Sequence, residues 1–238
     1  MSGRTILQAD RIDVFYGASQ ILFGVSIELA RGQTVALLGR NGAGKSTTLK
    51  AIAGLAPPRR GRVVVLGAEL QGSKPYAIAR AGVGFVPEDR QVFPEHTVAD
   101  NLEIAWKKGP HGEDYWTGAR VFEVFPLLSP LRHRQAGWLS GGEQQMLAIA
   151  RTLMGNPAVL LLDEPSEGLA PIVMQRIIEI LGRLRDTGVS ILLAEQNVNF
   201  CSGIASDAMV IDKGQIVYGD TISNLMANAK VRDRYLAI

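Results

Sequence analysis

Cysteine is almost absent from this 238-residue chain, which contains only Cys201. A single cysteine cannot form an intrachain disulfide, and we expect it to be a buried, inert thiol. Long apolar runs are also missing, because the longest, such as AVLLL at 158–162, are strand-length and far below the ~18 residues of a membrane span. The N-terminus shows no secretory signal. We therefore expect a soluble protein that reaches any membrane through a partner.

The chain also lacks a large excess of either positive or negative charge, since its formal net charge is only +2. Such a small excess does not predict a nucleic-acid partner. The three histidines, His96, His111 and His133, are scattered without metal-ligand spacing. We therefore predict no histidine metal site. The remaining composition, 47% hydrophobic and 20% charged, is that of an ordinary globular protein.

Strand-like and helix-like segments alternate along most of the chain. Apolar runs at 34–39 (TVALLG), 158–163 (AVLLLD) and 189–195 (VSILLAE) have the composition of strands buried on both faces. The first 30 residues contain shorter segments with a β-type pattern, and DAMVIDKGQIVYG at 207–219 predicts a hairpin. The alternation predicts an α/β fold with a mainly parallel core sheet and an N-terminal antiparallel β part.

Residues 97–155 are predicted to be mainly helical, and Thr97 and Asp100 have capping-box spacing. We expect a helical subdomain at about 93–155, inserted in one nucleotide-binding domain that spans 1–238. Trp106, Trp116 and Trp138 all fall in this segment. They form either a docking groove for a membrane subunit or, more commonly for tryptophan, part of the core.

The segment GRNGAGKS at 39–46 matches the phosphate-binding pattern G-x-x-x-x-G-K-[ST] and lies between a predicted strand and a predicted helix. Its glycines allow successive N–H groups to face one anion, and the helix start adds its positive end. Lys45 is predicted to reach the terminal phosphates and Ser46 to bind Mg²⁺. The alternative, a glycine-rich turn without a ligand, is disfavoured by these flanks. The predicted nucleotide-binding residues are Gly39, Arg40, Asn41, Gly42, Ala43, Gly44, Lys45, Ser46 and Thr47.

Two carboxylates end the buried strand in AVLLLDEP. Asp163 is predicted to hold Mg²⁺ through its water shell, and Glu164 to polarise a water aimed at the γ-phosphate. Capping of the strand, or pairing with lysine or arginine, is the structural alternative. The two carboxylates alone are weak evidence, but together with the phosphate loop they predict a nucleotide hydrolase.

The stretch LSGGEQQ at 139–145 begins a predicted helix with two glycines, although a glycine in a helix costs ~1 kcal/mol relative to alanine. The chain thus contains, in this order, a phosphate loop, the segment LSGGEQQ and a strand that ends in Asp and Glu. This order of motifs resembles that of the ATP-binding cassette (ABC) family. The resemblance implies that two cassettes pair head to tail. It assigns Ser140, Gly141, Gly142 and Glu143 to the nucleotide held by the partner, where a β-carbon would obstruct the anion. A plain serine-capped helix explains Ser140 but leaves the glycine pair unexplained.

Further positions match the family pattern along nearly the whole chain. Tyr16 stands where an aromatic residue stacks on adenine, Glu88 where most members have glutamine, and Gln196 where most members have histidine. A neutral amide at 196 donates a hydrogen bond but carries no proton that titrates near neutrality. The implied catalytic residues are Glu164, Lys45 and Gln196, and the implied metal residues are Ser46, Glu88 and Asp163.

The segments VPEDRQVFP, LSGGEQQMLAIARTLM, PSEGLAP and AEQN are most similar to the ATPase subunits of branched-chain amino-acid importers. The resemblance implies ATP and Mg²⁺ as cofactors. It also implies a second cassette (the same chain or a similar one), transmembrane permease subunits and, indirectly, a solute-binding protein. It places the protein at the cytoplasmic face of the inner membrane. A urea or short-amide importer is the main alternative, and a non-transport ABC ATPase is a weaker one.

The loop PEDRQVFPEH begins with Pro87 and contains Pro94, each of which fixes φ and lacks a backbone donor. We predict that this loop moves as a hinged piece. One end would sense the nucleotide through Glu88, and the other would move the helical segment. The alternative is a passive connection.

Overall fold

The computed structural model of this chain describes residues 4–236, which contain ten strands, nine α-helices and two short 3-10 helices, Pro126–Leu131 and Ala136–Trp138. The strands are β1 (Thr5–Tyr16), β2 (Ser19–Ala30), β3 (Thr34–Leu38), β4 (Arg60–Val65), β5 (Ala68–Glu69), β6 (Val83–Val86), β7 (Val159–Asp163), β8 (Ser190–Glu195), β9 (Asp207–Asp212) and β10 (Gln215–Thr221). The helices are α1 (Lys45–Ile52), α2 (Pro75–Arg80), α3 (Val98–Ala105), α4 (Gly118–Val124), α5 (Gly141–Leu153), α6 (Pro171–Asp186), α7 (Val198–Ser202), α8 (Ile222–Ala227) and α9 (Ala229–Tyr235).

The strands form two sheets. The first is antiparallel, with the order β2-β1-β4-β5, and the second has the order β10-β9-β3-β8-β7-β6. In the second sheet every pairing from β9 to β6 is parallel, and β10 is an antiparallel edge strand. All residues of β3, β7 and β8 are buried, as expected for strands covered on both faces. The predicted α/β class, with its antiparallel N-terminal part, is confirmed.

Helix α1 packs between the two sheets, and this position fixes the loop that precedes it. Its buried Leu49 and Ile52 belong to a core shared with Leu7 of β1 and Leu161 of β7. A second core covers the other face of the parallel sheet and includes residues of α5 and α6. The ends of β3 and β7 are thereby held beside the start of α1.

The predicted hairpin of β9 and β10 turns at Lys213 and Gly214, whose φ angles of 46° and 76° suit a two-residue turn. This turn also supports the phosphate loop. The Gly214 N–H donates to the Ala43 carbonyl at 2.8 Å, and the Gly214 carbonyl accepts the Phe23 N–H at 2.9 Å. One main-chain hydrogen bond therefore ties the phosphate loop to this turn, and a second ties the turn to β2.

The segment predicted to be mainly helical contains α3, α4 and α5, and the Thr97–Asp100 capping box at the start of α3 is confirmed. Residues 106–117 within it are not helical, and this stretch is interrupted by glycine and proline. Buried Asn156 holds this stretch because its side chain accepts the Trp116 N–H at 2.7 Å. The Asn156 side chain, which lies outside the stretch, therefore pairs with a main-chain group that has no helical partner.

The three tryptophans have different environments. Trp116 is buried, as expected for a core residue, whereas Trp106 is 46% exposed and Trp138 is 70% exposed. The core expectation is therefore wrong for these two. Trp106 lies with Leu102 and Phe122 on an open cavity of about 660 Å³ formed by the helical segment.

Cys201 is buried, and burial raises the pKa of its thiol well above the ordinary value. The predicted inert thiol is confirmed, because the thiolate is the reactive form. Among residues 4–236, no helix combines the length and the apolar character needed to cross a bilayer.

Candidate active site

The predicted phosphate loop at 39–46 connects β3 to α1, in the context that the pattern requires. Gly44 caps α1 with a φ of 115°, which is strained for any residue with a β-carbon. Gly39 is needed for a different reason, because a β-carbon there would collide with the carbonyl oxygen of Ile211 on β9. These glycines therefore serve turn geometry and close packing.

Lys45 lies at the centre of the site and is only 3% exposed. Its ammonium donates to the carbonyls of Gly39 (2.9 Å) and Arg40 (3.2 Å) and lies 3.0 Å from Oε1 of Glu164. A buried cation costs free energy unless it is paired, and this one has a carboxylate and two carbonyl oxygens. The ion pair joins the phosphate loop to the end of β7.

Ser46 and Asp163 form the second link between α1 and β7. The Ser46 hydroxyl donates to Oδ1 of Asp163 at 2.9 Å. Burial raises the pKa of the Asp163 carboxyl to about 6, the Ser46 hydrogen bond opposes this shift, and the charge of Glu164 adds to it. A nearby cation would stabilise the ionised form of this buried carboxylate, because its present surroundings offset the cost of burial only in part.

Glu164 has an uncommon backbone conformation, with a φ of 45°. Its N–H donates to the Ala194 carbonyl at 2.9 Å, and its Oε2 accepts a 2.7 Å hydrogen bond from Nε2 of Gln196. Burial raises the pKa of Glu164, but the hydrogen bonds from Gln196 and Lys45 and the charge of Lys45 outweigh it and leave the pKa below its ordinary value. Glu164 is therefore an ionised carboxylate held from both sides.

Gln196 bridges two of the predicted segments. Besides its bond to Glu164, its Nε2 donates to Oδ1 of Asn41 in the phosphate loop at 2.7 Å. This double contact uses both amide hydrogens. The structure thus brings the three predicted catalytic residues into one hydrogen-bonded group.

A cavity of about 510 Å³ opens over the phosphate loop. Its lining contains most of the predicted loop residues together with Glu88 and Glu164, and Tyr16 contributes an aromatic ring that is 49% exposed. Glu167, which the sequence analysis missed, also lines it. Contact with Glu164, then burial, then the charges of Glu164 and Glu88, raise the pKa of Glu167. Most of the predicted loop residues and two of the three predicted metal residues, Ser46 and Glu88, therefore surround one space, and Asp163 lies behind Ser46, from whose hydroxyl it accepts a hydrogen bond.

The LSGGEQQ segment begins α5 with a complete capping box. The Ser140 hydroxyl accepts the Glu143 N–H, while Oε2 of Glu143 accepts the Ser140 N–H at 2.7 Å. Residues 140–143 do not occur among the described residues that line the cavity. Within one chain, Glu143 thus acts as a capping residue, which explains its side chain at this position.

One glycine of the pair, Gly142, has an explanation within one chain. A β-carbon built on Gly142 would lie 2.5 Å from Cγ1 of Val173 on α6, and Gly142 is buried. A β-carbon on Gly141 would lie 2.9 Å from Nη1 of Arg90. A capped helix packed against α6 therefore accounts for Ser140 and for Gly142, whereas a β-carbon on Gly141 would meet only the movable end of the Arg90 side chain.

Two further residues of this region were missed from the sequence. Arg90 connects the LSGGEQQ segment to the loop after β7. Its Nε donates to Oε1 of Gln145 at 3.3 Å, and its Nη2 contacts the Glu167 carbonyl at 3.5 Å. Glu195 is buried at the end of β8, beside Gln196. A carboxylate at the end of an otherwise apolar strand was the signal that could have identified Glu195, because buried charges are rare.

Comparisons with known proteins agree with this architecture. A family model described as ABC transporter matches residues 22–167. The high-affinity branched-chain amino acid transport ATP-binding protein BraG of Pseudomonas aeruginosa is 44% identical, with 97% of this chain and 99% of that protein covered. The probable branched-chain amino acid transport ATP-binding protein LivF of Archaeoglobus fulgidus is 34% identical, with 94% and 96% covered.

A solved structure has the same fold. The crystal structure of a nucleotide-free ATP-binding cassette from an ABC transporter superposes with a TM-score of 0.84 at 27% identity, and the match covers 99% of each chain. The family match covers more than half of the chain, and the resemblance to BraG extends over nearly its full length. This chain belongs to the ABC transporter family.

Proposed function

We propose that this chain binds ATP and hydrolyses it with Glu164 as general base, and that this ATPase drives a membrane importer. The observation that carries the proposal is the buried group in which Lys45 and Gln196 hold the Glu164 carboxylate, at 3.0 Å and 2.7 Å. An ionised, oriented carboxylate next to a phosphate-binding lysine is the arrangement that activates a water for attack on a phosphoryl group.

The contacts suggest how binding and chemistry are linked. A γ-phosphate at the loop would compete with Glu164 for the Lys45 ammonium, because both anions need the same donor. When Lys45 turns to the phosphate, Oε1 of Glu164 loses its partner and becomes available to accept a proton from water. Gln196 keeps Oε2 in place, so the carboxylate stays aimed while one of its oxygens becomes basic.

The residues present fit a magnesium ion. Ser46 and Asp163 offer a hydroxyl and a carboxylate oxygen 2.9 Å apart, and the raised pKa of Asp163, caused mainly by burial, marks a carboxylate that a cation would stabilise. Oxygen ligands of this kind suit Mg²⁺, and Glu88 lines the same cavity. When bound, the ion would neutralise charge on the phosphates.

A second cassette, either another copy or a similar chain, would complete the site through its own residues 140–143. The support is that these residues lie outside the cavity formed by the described part of one chain, while Ser140 is exposed at a helix start. N–H groups at a helix start attract anions. The whole of 1–238 would act as one cassette, with the helical subdomain at about 93–155 as its moving part.

Branched-chain or other hydrophobic amino acids are the proposed cargo, and the support is the 44% identity to BraG. Transmembrane permease subunits would dock at the helical segment, where Trp106 and Phe122 line the open cavity. A solute-binding protein would deliver the cargo, and the cassette would work at the cytoplasmic face of the inner membrane. Urea and short amides remain the competing cargo.

The test is reconstitution of the cassette with its permease subunits in vesicles, with ATP on the cassette side. Uptake of leucine, isoleucine and valine that requires ATP, and fails with Glu164→Gln, supports the proposal. Uptake of urea or short amides instead would replace the cargo assignment but keep the ATPase. No ATP hydrolysis by the wild-type complex would refute the function.

A further inference from the structure

Glu195 has a position that the proposed chemistry does not use. It is 2% exposed, and among residues 4–236 it has no salt-bridge partner. Its two carboxylate oxygens instead accept three main-chain N–H groups. Oε1 accepts the Ser166 N–H at 2.9 Å, and Oε2 accepts the N–H groups of Gln196 at 2.9 Å and Asn197 at 3.1 Å.

The three donors belong to two separate loops. Ser166 follows Glu164 in the loop after β7, while Gln196 and Asn197 lie in the loop after β8. Each oxygen of the carboxylate therefore serves one loop. Since the two oxygens are rigidly connected, the side chain fixes the distance between the loops at the point where Gln196 reaches Glu164.

We propose that Glu195 is a positioning residue for ATP hydrolysis, a carboxylate link that holds the Gln196 amide against Glu164. This inference rests on the proposed function, because it assigns Glu195 a role in the turnover that Glu164 catalyses. Glu195 does not line the nucleotide cavity described above, so its effect reaches the reaction only through the two loops.

The chemistry of the side chain explains why a glutamate is needed. An amide of the same shape has one acceptor oxygen and one NH₂ donor. In Glu195→Gln, either the Ser166 N–H or the pair from Gln196 and Asn197 would face a donor instead of an acceptor. One loop would therefore be released, and a buried N–H would lose its partner.

The primary experiment measures ATPase kinetics, ATP affinity and urea unfolding for wild type and Glu195→Gln. We expect Glu195→Gln to fold, with its KM and ATP Kd within about threefold of wild type. Its kcat should fall on the order of 10- to 100-fold, the scale of a misplaced catalytic group. Wild-type kcat in the folded variant would overturn the inference, and so would equal losses of ATP affinity and kcat.

A double-mutant cycle with Gln196→Ala separates positioning from general support. If Glu195 acts through the Gln196 amide, Glu195→Gln should lower kcat by a clearly smaller factor when Gln196 is already alanine. Factors that multiply fully would show that Glu195 acts elsewhere, which overturns the inference. Glu195→Asp keeps both oxygens on a shorter stem, and we expect it to retain more kcat than Glu195→Gln; the reverse order would also overturn it.

This outcome is distinguishable from failure of the proposed function. If wild type hydrolyses ATP and all Glu195 variants match it, only the positioning role is wrong. If wild type does not hydrolyse ATP at all, the ATPase proposal itself is wrong.

Discussion

Lys45 and Glu164 form a buried ion pair, 3.0 Å between Nζ and Oε1, so the residue expected to bind phosphate holds the residue expected to activate water. The site is therefore sensitive to the charge of either residue, and the two functions of the site are joined in one contact.

The first prediction concerns that contact. Glu164→Gln removes the negative charge but keeps the shape, so Lys45 loses its competitor for phosphate. We expect ATP affinity to be equal or tighter, and kcat to fall by about 10² or more, the scale of a lost general base. Steady-state ATPase assays and equilibrium ATP binding provide the measurement. A variant with wild-type kcat would show that Glu164 is not the base.

The second prediction concerns Gly142. Gly142→Ala places a methyl group 2.5 Å from Cγ1 of Val173 and should destabilise the fold by about 1–3 kcal/mol, the usual range for overpacking. Gly141→Ala is the matched control, because its methyl would meet only the movable end of Arg90. Urea unfolding should therefore show a smaller loss, or a gain, for Gly141→Ala.

Val173→Ala gives the same experiment a functional readout. It makes room for the new methyl, so the pair Gly142→Ala and Val173→Ala should be more stable than the two separate losses predict. If the glycine also serves the partner's phosphate, kcat stays low in this double variant while ATP binding by one chain is normal. Full recovery of kcat would limit Gly142 to packing.

The third prediction concerns Tyr16, whose half-exposed ring lines the cavity. Stacking of a base on an aromatic ring contributes ~1–3 kcal/mol, so Tyr16→Ala should weaken ATP binding by roughly 5- to 150-fold. Tyr16→Trp should be mild. Tyr76→Ala is the control, since Tyr76 is exposed on α2 and does not line the cavity. Equal affinities for all variants would remove Tyr16 from the site.

The fourth prediction is a pH dependence caused by Cys201. Burial raises the pKa of this thiol well above its ordinary value, so the folded chain keeps the proton at a pH where the unfolded chain loses it. The thiol's contribution to stability is therefore complete below the ordinary pKa and is lost as pH rises through the folded value, by up to ~1.4 kcal/mol per pH unit. Cys201→Ala should flatten the fall in unfolding free energy between pH 8 and 10. Identical slopes would contradict the assignment.

The sequence predicted those features that local pattern determines. β3, β7 and β8 are recognisable as runs of apolar residues, and the phosphate loop follows from glycine spacing within eight residues. Long-range contacts were not predictable in this way. Nothing near Gly142 in the sequence indicates that Val173 of α6 covers it, and Glu195 gives no sign of which N–H groups it accepts. The exposure of Trp138 was not predictable either, because composition does not tell which side of its short 3-10 helix faces solvent.

The last prediction concerns coupling through the loop that begins at Glu88. Glu88 lines the nucleotide cavity, and two residues further on the backbone is strained, with φ of 63° at Arg90 and 47° at Gln91. Arg151 of α5 donates to the Gln91 carbonyl at 2.6 Å, which ties the loop to the helical segment. We expect a strained loop that is tied to the helical segment to change between two discrete arrangements rather than to deform gradually.

Glu88→Ala should therefore leave ATP affinity near wild type but lower the amount of cargo transported per ATP in vesicles that contain the permease subunits. Glu95→Ala is the matched control, because Glu95 is an exposed carboxylate in the same loop and lies outside the cavity. Simultaneous assays of uptake and phosphate release give the ratio directly. If Glu88→Ala and Glu95→Ala both transport with the wild-type ratio and rate, the loop is a passive connection, and the signal to the membrane subunits must leave the nucleotide site through another segment.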